Sequence, residues 1–286
     1  MYRLMLNFIT WNPDPEIFNL FGLSLRYYGL LFMLGIYFSS LVLGKIFEKE
    51  NLPKENYEKL VTYSVIGIFV GARLGHCLFY EPSYFLDHPI EMILPIKFLP
   101  EGGFEVTGYR GLASHGGALG LIIALFVYSK KAKHQFLDIL DLLAVVCGLG
   151  CGFIRLANLM NSEIIGIPTD LPWAFIFQRI DALPRHPAQL YEAISLFIIF
   201  GIMMFLYKNY RSKLKNGFFC GLVLSLIFTA RFFIEFIKEN QVGFEDGLTF
   251  NMGQLLSIPY VLVGIALMTY GWKTTKSKNA VLTPAL

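Results

Sequence analysis

The chain has 286 residues, of which 55% are hydrophobic, 16% aromatic and only 16% charged, and its mean hydropathy is +0.54. That composition excludes an ordinary soluble domain and indicates an integral membrane protein. The formal charge of +3 is small and the basic residues sit in short clusters between apolar runs, which argues against a nucleic-acid-binding face.

Windows of about 20 apolar residues, enough to cross a bilayer, fall at 22–44, 59–80, 112–129, 137–158, 188–207, 217–237 and 253–272. The expected fold is therefore an all-α polytopic membrane protein, one integral domain over residues 1–286 with about seven transmembrane helices. Arg3 is followed by a polar, proline-containing stretch from Thr10 to Glu16 rather than by a continuous apolar region, so no cleaved signal peptide is expected.

Basic residues set the orientation. Lys45, Lys49, Lys54, Lys59, Lys130, Lys131, Lys133, Lys208, Arg211, Lys213, Lys215, Lys273, Lys276 and Lys278 lie on one side. Arg3, Lys97, Arg110, Arg179, Arg185 and Lys238 lie on the other. Fourteen against six, the larger set in the shorter connections, places the N-terminus outside and the tail at 273–286 in the cytoplasm. The long connections at 81–111, 159–187 and 238–252 then form a small extracytoplasmic cap. Their prolines and glycines (Pro82, Pro95, Pro100, Gly102, Gly103, Pro168, Pro172, Pro184) favour loops and short strands over continuous helix. No internal repeat of the kind that builds transporters is visible.

Cys77, Cys147, Cys151 and Cys220 all lie in apolar segments without the spacing of a zinc site or a disulfide framework, and read as small packing residues. Cys147 and Cys151 are spaced to share a helix face.

Four arginines, Arg26, Arg73, Arg155 and Arg231, sit in or at the ends of apolar runs, and all fall at the predicted outer ends. Each costs roughly 2.5–3.5 kcal/mol at mid-bilayer, so such residues mark a functional site with an anionic partner or an interfacial position. Tyr27 and Tyr28 in the first helix, His76 in the second, and His115 with Gly116 and Gly117 in the third reach the same level. Arg155, Asn158, Asn161 and Glu163 in the fourth, His186 and Gln189 in the fifth, and Arg231 and Glu235 in the sixth complete the set.

Arg155, Asn158 and Asn161 recur at helical spacing, with Glu163 just beyond and Gly166 free to make a tight turn. Guanidinium and carboxamide groups facing a cavity suit a phosphate, which accepts the planar arginine fork. The plainer alternative is a structural pair, Arg155 with Glu163 or Arg231 with Glu235. His115, in Ser114-His115-Gly116-Gly117, is an open imidazole that serves either as a capping group or as a general base near neutral pH. His88 and His134 read as loop residues. Histidines without paired spacing, and without a carboxylate triad, point to no metal.

Six segments carry a resemblance to a known family: Arg26-Tyr27-Tyr28-Gly29, Gly71-Ala72-Arg73-Leu74-Gly75, Ser114-His115-Gly116-Gly117, the run from Arg155 to Glu163, the run from Arg185 to Glu192, and Arg231-Phe232-Phe233-Ile234-Glu235-Phe236. In this order on a seven-helix frame they resemble the bacterial prolipoprotein diacylglyceryl transferases. The resemblance implies transfer of a diacylglyceryl group from phosphatidylglycerol to the lipobox cysteine thiol of a prolipoprotein signal peptide. It places the reaction at the outer side of the inner membrane, with no cofactor and with glycerol phosphate released. By the same resemblance Arg155 holds the headgroup, Arg231 assists it and Glu235 orients that arginine. His115 is the base or positioner, and Tyr28, Asn158, Glu163, Gly166 and Arg73 shape the binding site. The chain departs from the family pattern at Ile154, Ala157 and Ser162, where glycines are usual, and at Ile227, where a tyrosine is frequent. Tyr28 or Tyr191 is then expected to supply a hydroxyl. The alternatives are an anionic-lipid carrier, disfavoured by the one-sided clustering, and a precursor-binding pseudoenzyme, disfavoured by retention of His115 with Arg155.

Overall fold

The computed structural model describes residues 8–20, 23–94, 96–99, 102–106, 111–240, 247 and 249–272. Arg3, Pro95, Pro100, Arg110, positions 241–246 and 248, and the basic tail from Lys273 lie outside the described residues. Strands β1 (Ile9–Trp11), β2 (Glu16–Leu20) and β3 (Leu23–Arg26) precede helices α1 (Tyr27–Lys49) and α2 (Lys54–Phe79). Short helices α3 (Pro82–Asp87) and α4 (Pro89–Ile93) and strands β4 (Ile96–Phe98) and β5 (Phe104–Val106) lead to α5 (Ser114–Lys131) and α6 (Phe136–Asn161). Strands β6 (Phe175–Phe177) and β7 (Pro184–Arg185) come before α7 (Ala188–Tyr210), α8 (Phe218–Ile234) and α9 (Met252–Trp272), with 3-10 turns at Arg211–Lys213 and Glu235–Ile237.

Each of the seven predicted helices has a counterpart. Six of them, α1, α2, α6, α7, α8 and α9, are long and apolar enough to cross a membrane, α7 and α8 together with their 3-10 turns. The remaining one, α5, has 18 residues and ends in Lys130 and Lys131. The first helix starts at Tyr27 rather than at residue 22, because β2 and β3 pair antiparallel up to Glu16 opposite Arg26. Arg26 donates to Glu16 at 2.9 Å across this hairpin, an exposed pair. It is thereby removed from the intramembrane set.

The chain divides into two compact units, one of residues 8–43 and 140–272 and the other Gly44–Ile139. In the second unit α2 and α5 pack backbone to backbone. Gly67, Gly71 and Gly75 recur every four residues on α2, and Gly116 and Gly120 do so on α5, the small-xxx-small pattern of close helix packing in membranes. A Cβ built on Gly71 would lie 2.3 Å from Gly116 O, and one on Gly120 would lie 2.2 Å from Gly67 O. At the α3 end of α2, the strands β4 and β5 pair antiparallel, and Glu91 of α4 is buried. Its carboxylate accepts from the Tyr84 hydroxyl at 2.6 Å and the Phe98 N–H at 2.8 Å, and these bonds, the tyrosine's foremost, hold it below the usual carboxylate range.

In the first unit β1 runs parallel to β6, and β6 antiparallel to β7. Phe175 and Phe177 of β6 pack with Leu159 and Ile165, flanked by Trp11 and Leu190. The Trp11 indole N–H donates to Leu159 O at 2.9 Å and fastens β1 to the end of α6. The other end of α6 carries the fully buried Asp141, which accepts from the N–H groups of Gly217 and Cys220 at 2.9 and 2.8 Å. A carboxylate there satisfies donors that the start of α8 leaves free and complements its dipole. Cys147 and Cys151 do share a face, their sulfurs 3.9 Å apart.

Helix α6 ends in a Schellman-type turn: Glu163 N–H donates to Asn158 O at 3.1 Å, and Ser162 takes a left-handed φ of 56°. Ser162 is one of the positions where the resemblance leads one to expect glycine, and its buried hydroxyl has no hydrogen-bond partner among the described residues.

This packing sets two stability expectations, both measured as thermal unfolding of detergent-purified protein. Ser162→Gly relieves a left-handed conformation worth about 1–2 kcal/mol and raises the midpoint; a lowered midpoint would mean the serine makes an interaction the geometry does not show. Gly71→Ala costs about 1–3 kcal/mol by overpacking, whereas Gly201→Ala on α7, where a Cβ meets nothing within 4 Å, is neutral or stabilising. The opposite order would place the close helix packing elsewhere.

Candidate functional site

The polar residues of the first unit converge where α6, α7 and α8 end or begin. Arg155 and Asn158, three residues apart on α6, face one way, and the Arg155 guanidinium donates to Asn158 Oδ1 at 3.3 Å. The Asn158 amide donates onward to Glu163 Oε1 at 2.9 Å, and Asn161 donates to the same oxygen at 3.2 Å. Gln189 at the start of α7 donates to the Glu163 carbonyl at 2.6 Å. Glu163 itself sits between two non-glycine residues of positive φ, Ser162 at 56° and Ile164 at 59°. A β-branched residue in that region is a true outlier, and such strain collects at functional sites. The half-buried Tyr28, one residue into α1, faces Asn158, with Arg155 and Glu163 near enough to act on its hydroxyl.

Arg155 does not pair with Glu163, the partner anticipated for a structural pair. Its Nε lies 2.9 Å from Oε2 of Glu192, a buried carboxylate one turn into α7. Glu192 Oε1 is 3.5 Å from Lys238 Nζ, and that ammonium donates to Glu235 Oε2 at 2.9 Å. Glu235 in turn lies 3.9 Å from Arg231 Nε, an atom that is buried and makes no hydrogen bond among the described residues. Five charges thus form one chain, Arg155, Glu192, Lys238, Glu235 and Arg231, with three cations against two anions. Exposure separates the members: the side chains of Arg155 and Arg231 are 21% and 36% exposed, that of Lys238 only 2%. An incoming anion therefore meets the arginines.

Helix α9 closes over Glu235. Asn251 and Gln254 exchange hydrogen bonds, Gln254 N–H to Asn251 Oδ1 at 2.9 Å and Asn251 N–H to Gln254 Oε1 at 3.1 Å, a reciprocal capping box. A Cβ on Gly253 would fall 2.4 Å from the Glu235 carboxyl carbon. Between α8 and α9 lies an apolar groove of about 240 Å³, lined by Thr229, Phe232, Ile258, Val261 and Leu262 and so adjacent in sequence to Arg231.

Gly166 is a crossing point. Its N–H donates to His186 O at 3.0 Å, its carbonyl accepts from the buried Arg185 at 3.2 Å, and it pairs with Lys238 in a β-bridge. A Cβ there would meet His186 Cβ at 2.6 Å and Ile237 O at 2.7 Å, so only glycine fits. Arg185 also binds Asp181 and Glu239, and the Arg185 guanidinium holds the Asp181 carboxyl below its ordinary range. His186 lies 3.3 Å from the Tyr191 hydroxyl, which accepts from the Trp173 indole at 2.9 Å; burial pushes the imidazole below its ordinary value and favours the neutral ring.

The second unit holds the remaining expected residues. His115 is exposed in the first turn of α5, on a backbone fixed by the packing of Gly116 against Gly71. Arg73 of α2 donates to the carbonyls of Glu91 and Met92 at 2.6 and 3.0 Å and stacks 4.9 Å over Phe85. These interactions give it a role in holding α4. His76 lies 3.4 Å from Glu81 and fills the space that a side chain at Gly111 would need. His134 follows the far end of α5, where it meets Asn56 at 3.1 Å.

Two members of the charge chain, Glu192 and Lys238, are absent from the site residues that the sequence suggests. A carboxylate within the apolar run 188–207 is a signal for the first. Spacing of three from Glu235 is the signal for the second, which the sequence otherwise presents as a solvated loop cation.

Comparison with known proteins bears on this geometry. A family model described as prolipoprotein diacylglyceryl transferase matches residues 15–270. A phosphatidylglycerol–prolipoprotein diacylglyceryl transferase of Bacteroides fragilis is 57% identical over 278 residues, covering 97% of this chain and all of the relative. Proteins of the same name from Chloroherpeton thalassium and Vibrio cholerae are 43% and 34% identical, each match covering 92% of this chain, with 94% and 93% of the relatives aligned. With its membrane-spanning helices and its motifs in family order, this chain belongs to the prolipoprotein diacylglyceryl transferase family.

Proposed function

We propose that this protein transfers a diacylglyceryl group from phosphatidylglycerol to the lipobox cysteine thiol of a prolipoprotein signal peptide. The distribution of Lys and Arg supports an outer-facing site in the bacterial inner membrane, with the N-terminus outside and the C-terminus in the cytoplasm. The observation that carries the reading is the pair of partly exposed arginines, Arg155 and Arg231, which with the buried Glu192, Lys238 and Glu235 behind them make a chain of three cations and two anions.

The reaction forms a bond between the cysteine sulfur and the terminal glycerol carbon of the diacylglyceryl group as that carbon's bond to the phosphate oxygen breaks. The electron pair leaves with the phosphate, giving glycerol phosphate, and the thiol proton passes to a base. Arg155 binds the phosphodiester through its planar fork, with Asn158 oriented by Glu163 to complete the donor set. Arg231, steered by Glu235, stabilises the charge that gathers on the departing phosphate. Tyr28 positions the headgroup beside Asn158, and Gly166 keeps the cap segments close enough to frame it. His115 takes the thiol proton or orients the nucleophile, since only the thiolate attacks. Arg73 acts by holding α4. The groove between α8 and α9 suits an acyl chain of the lipid whose headgroup Arg231 contacts.

The test is mass spectrometry on a lipobox peptide incubated with the purified protein and phosphatidylglycerol micelles. The peptide gains one diacylglyceryl group, and a cysteine-to-serine peptide gains none; no gain with the lipid still bound would favour the lipid-carrier alternative. Arg155→Ala lowers the transfer rate by at least about 100-fold, and Arg155→Lys is impaired as well because the bidentate fork is lost. Near-normal turnover in both variants would sink the phosphate role. Under the same assay His115→Gln is severely slowed while His134→Gln is silent. Equal damage from the two would contradict the assignment of the base or positioner to His115.

A further inference from the structure

A carboxylate touching a guanidinium cancels much of its field where the dielectric is low. Glu192 touches Arg155 and Glu235 approaches Arg231, so those four residues alone would balance one for one and offer an anion little net attraction. Lys238 changes that count. Its Nζ lies between the two carboxylates, 2.9 Å from Glu235 and 3.5 Å from Glu192, and the side chain is too buried to meet a ligand itself. A compact ammonium with three donors can serve two carboxylates at once, which a planar fork does less well.

The backbone of Lys238 is fixed from the cap. Ile167 N–H donates to Ile237 O at 3.0 Å and Glu239 N–H to Ile165 O at 3.2 Å, and these bonds flank the bridge between Lys238 and Gly166. The narrow crossing at Gly166 thus sets where the ammonium sits.

We infer that Lys238 is a positioning residue of the headgroup site. By taking up charge from Glu192 and Glu235, it frees positive charge on Arg155 and Arg231 for a phosphodiester, while the nearby Glu163 spends its oxygen on the amides of Asn158 and Asn161 rather than on Arg155. The inference rests on the reading of those two arginines as the phosphate-holding pair.

The experiment measures kcat and KM for phosphatidylglycerol on full-length Lys238→Met, Lys238→Arg and Lys238→Met with Glu192→Gln, alongside thermal unfolding. Lys238→Met raises KM by about tenfold because the phosphodiester is held less firmly, and any accompanying fall in kcat reports the part transmitted through Glu235 to Arg231. Lys238→Arg restores most of that loss. In the double variant, removing one carboxylate again leaves cations in excess, and KM falls back toward the wild-type value. An unchanged KM in Lys238→Met, or a double variant no better than the single one, would overturn the inference and leave Lys238 a purely structural residue. If Lys238→Met gives no folded protein, the double variant is compared directly with wild type: a KM within about threefold supports the inference and a rise of about tenfold or more overturns it. Arg155→Ala combined with Arg231→Ala separates the two levels. If that protein retains full affinity for phosphatidylglycerol, the headgroup reading fails whatever Lys238 does. If it loses affinity while Lys238→Met does not, only the role of Lys238 fails.

Discussion

Charge placed in an apolar medium has to be compensated from within the protein, and in this molecule the compensation is left incomplete at one point. Three helices bring Arg155, Glu192 and Arg231 to the same place, and the turn after α8 adds Glu235 and Lys238. Because the carboxylates and the lysine are buried while the arginines are partly open, the excess cation is offered outward. Much of the surrounding architecture serves to hold those groups. The capping box of α9 and the small Gly253 fit that helix over Glu235, and the pairing of 166–169 with 184–186 and of 165–167 with 237–239 fixes the segments that carry Lys238 and the start of α7.

Close backbone approach is the second constraint. On α2 and α5 the glycines let the main chain of one helix rest directly against that of the other, and this packing determines where the first turn of α5, with His115, begins. In the bilayer there is no hydrophobic drive between helices, so van der Waals attraction along such stripes has to supply the association. The same economy appears at the opposite end of α6, where the buried Asp141 satisfies the first N–H groups of α8 in place of water.

The helical frame was legible in the sequence because apolar length is a strong and local signal. The seven windows and the seven long helices coincide to within about three residues, apart from both ends of the first and the start of the second, which differ by five. There the apolar hairpin of β2 and β3 imitates a helix start, and Arg26 is a strand residue paired with Glu16. Periodicity also reveals that Arg155 and Asn158 share a face. It cannot reveal partners 37 or 46 residues away, so the pairing of Glu192 with Arg155 and with Lys238 stays hidden and the nearer Glu163 presents itself as the partner of Arg155. Arg73 shows the converse case. It looks like a ligand-binding intramembrane cation, yet its guanidinium is occupied by backbone carbonyls of α4. The departure at Ser162 acquires a physical meaning only with the backbone in view, since its φ of 56° is a conformation that glycine adopts freely.

The central claim is that Arg155 and Arg231 together hold the lipid phosphate. Its most direct test is native mass spectrometry of the purified protein in mixed micelles of phosphatidylglycerol and phosphatidylcholine, comparing wild type with the variant carrying both Arg155→Gln and Arg231→Gln. The account predicts that wild type retains phosphatidylglycerol in preference to the zwitterionic lipid and that the variant, still folded, loses this preference. A folded variant that retains phosphatidylglycerol as strongly as wild type would contradict it.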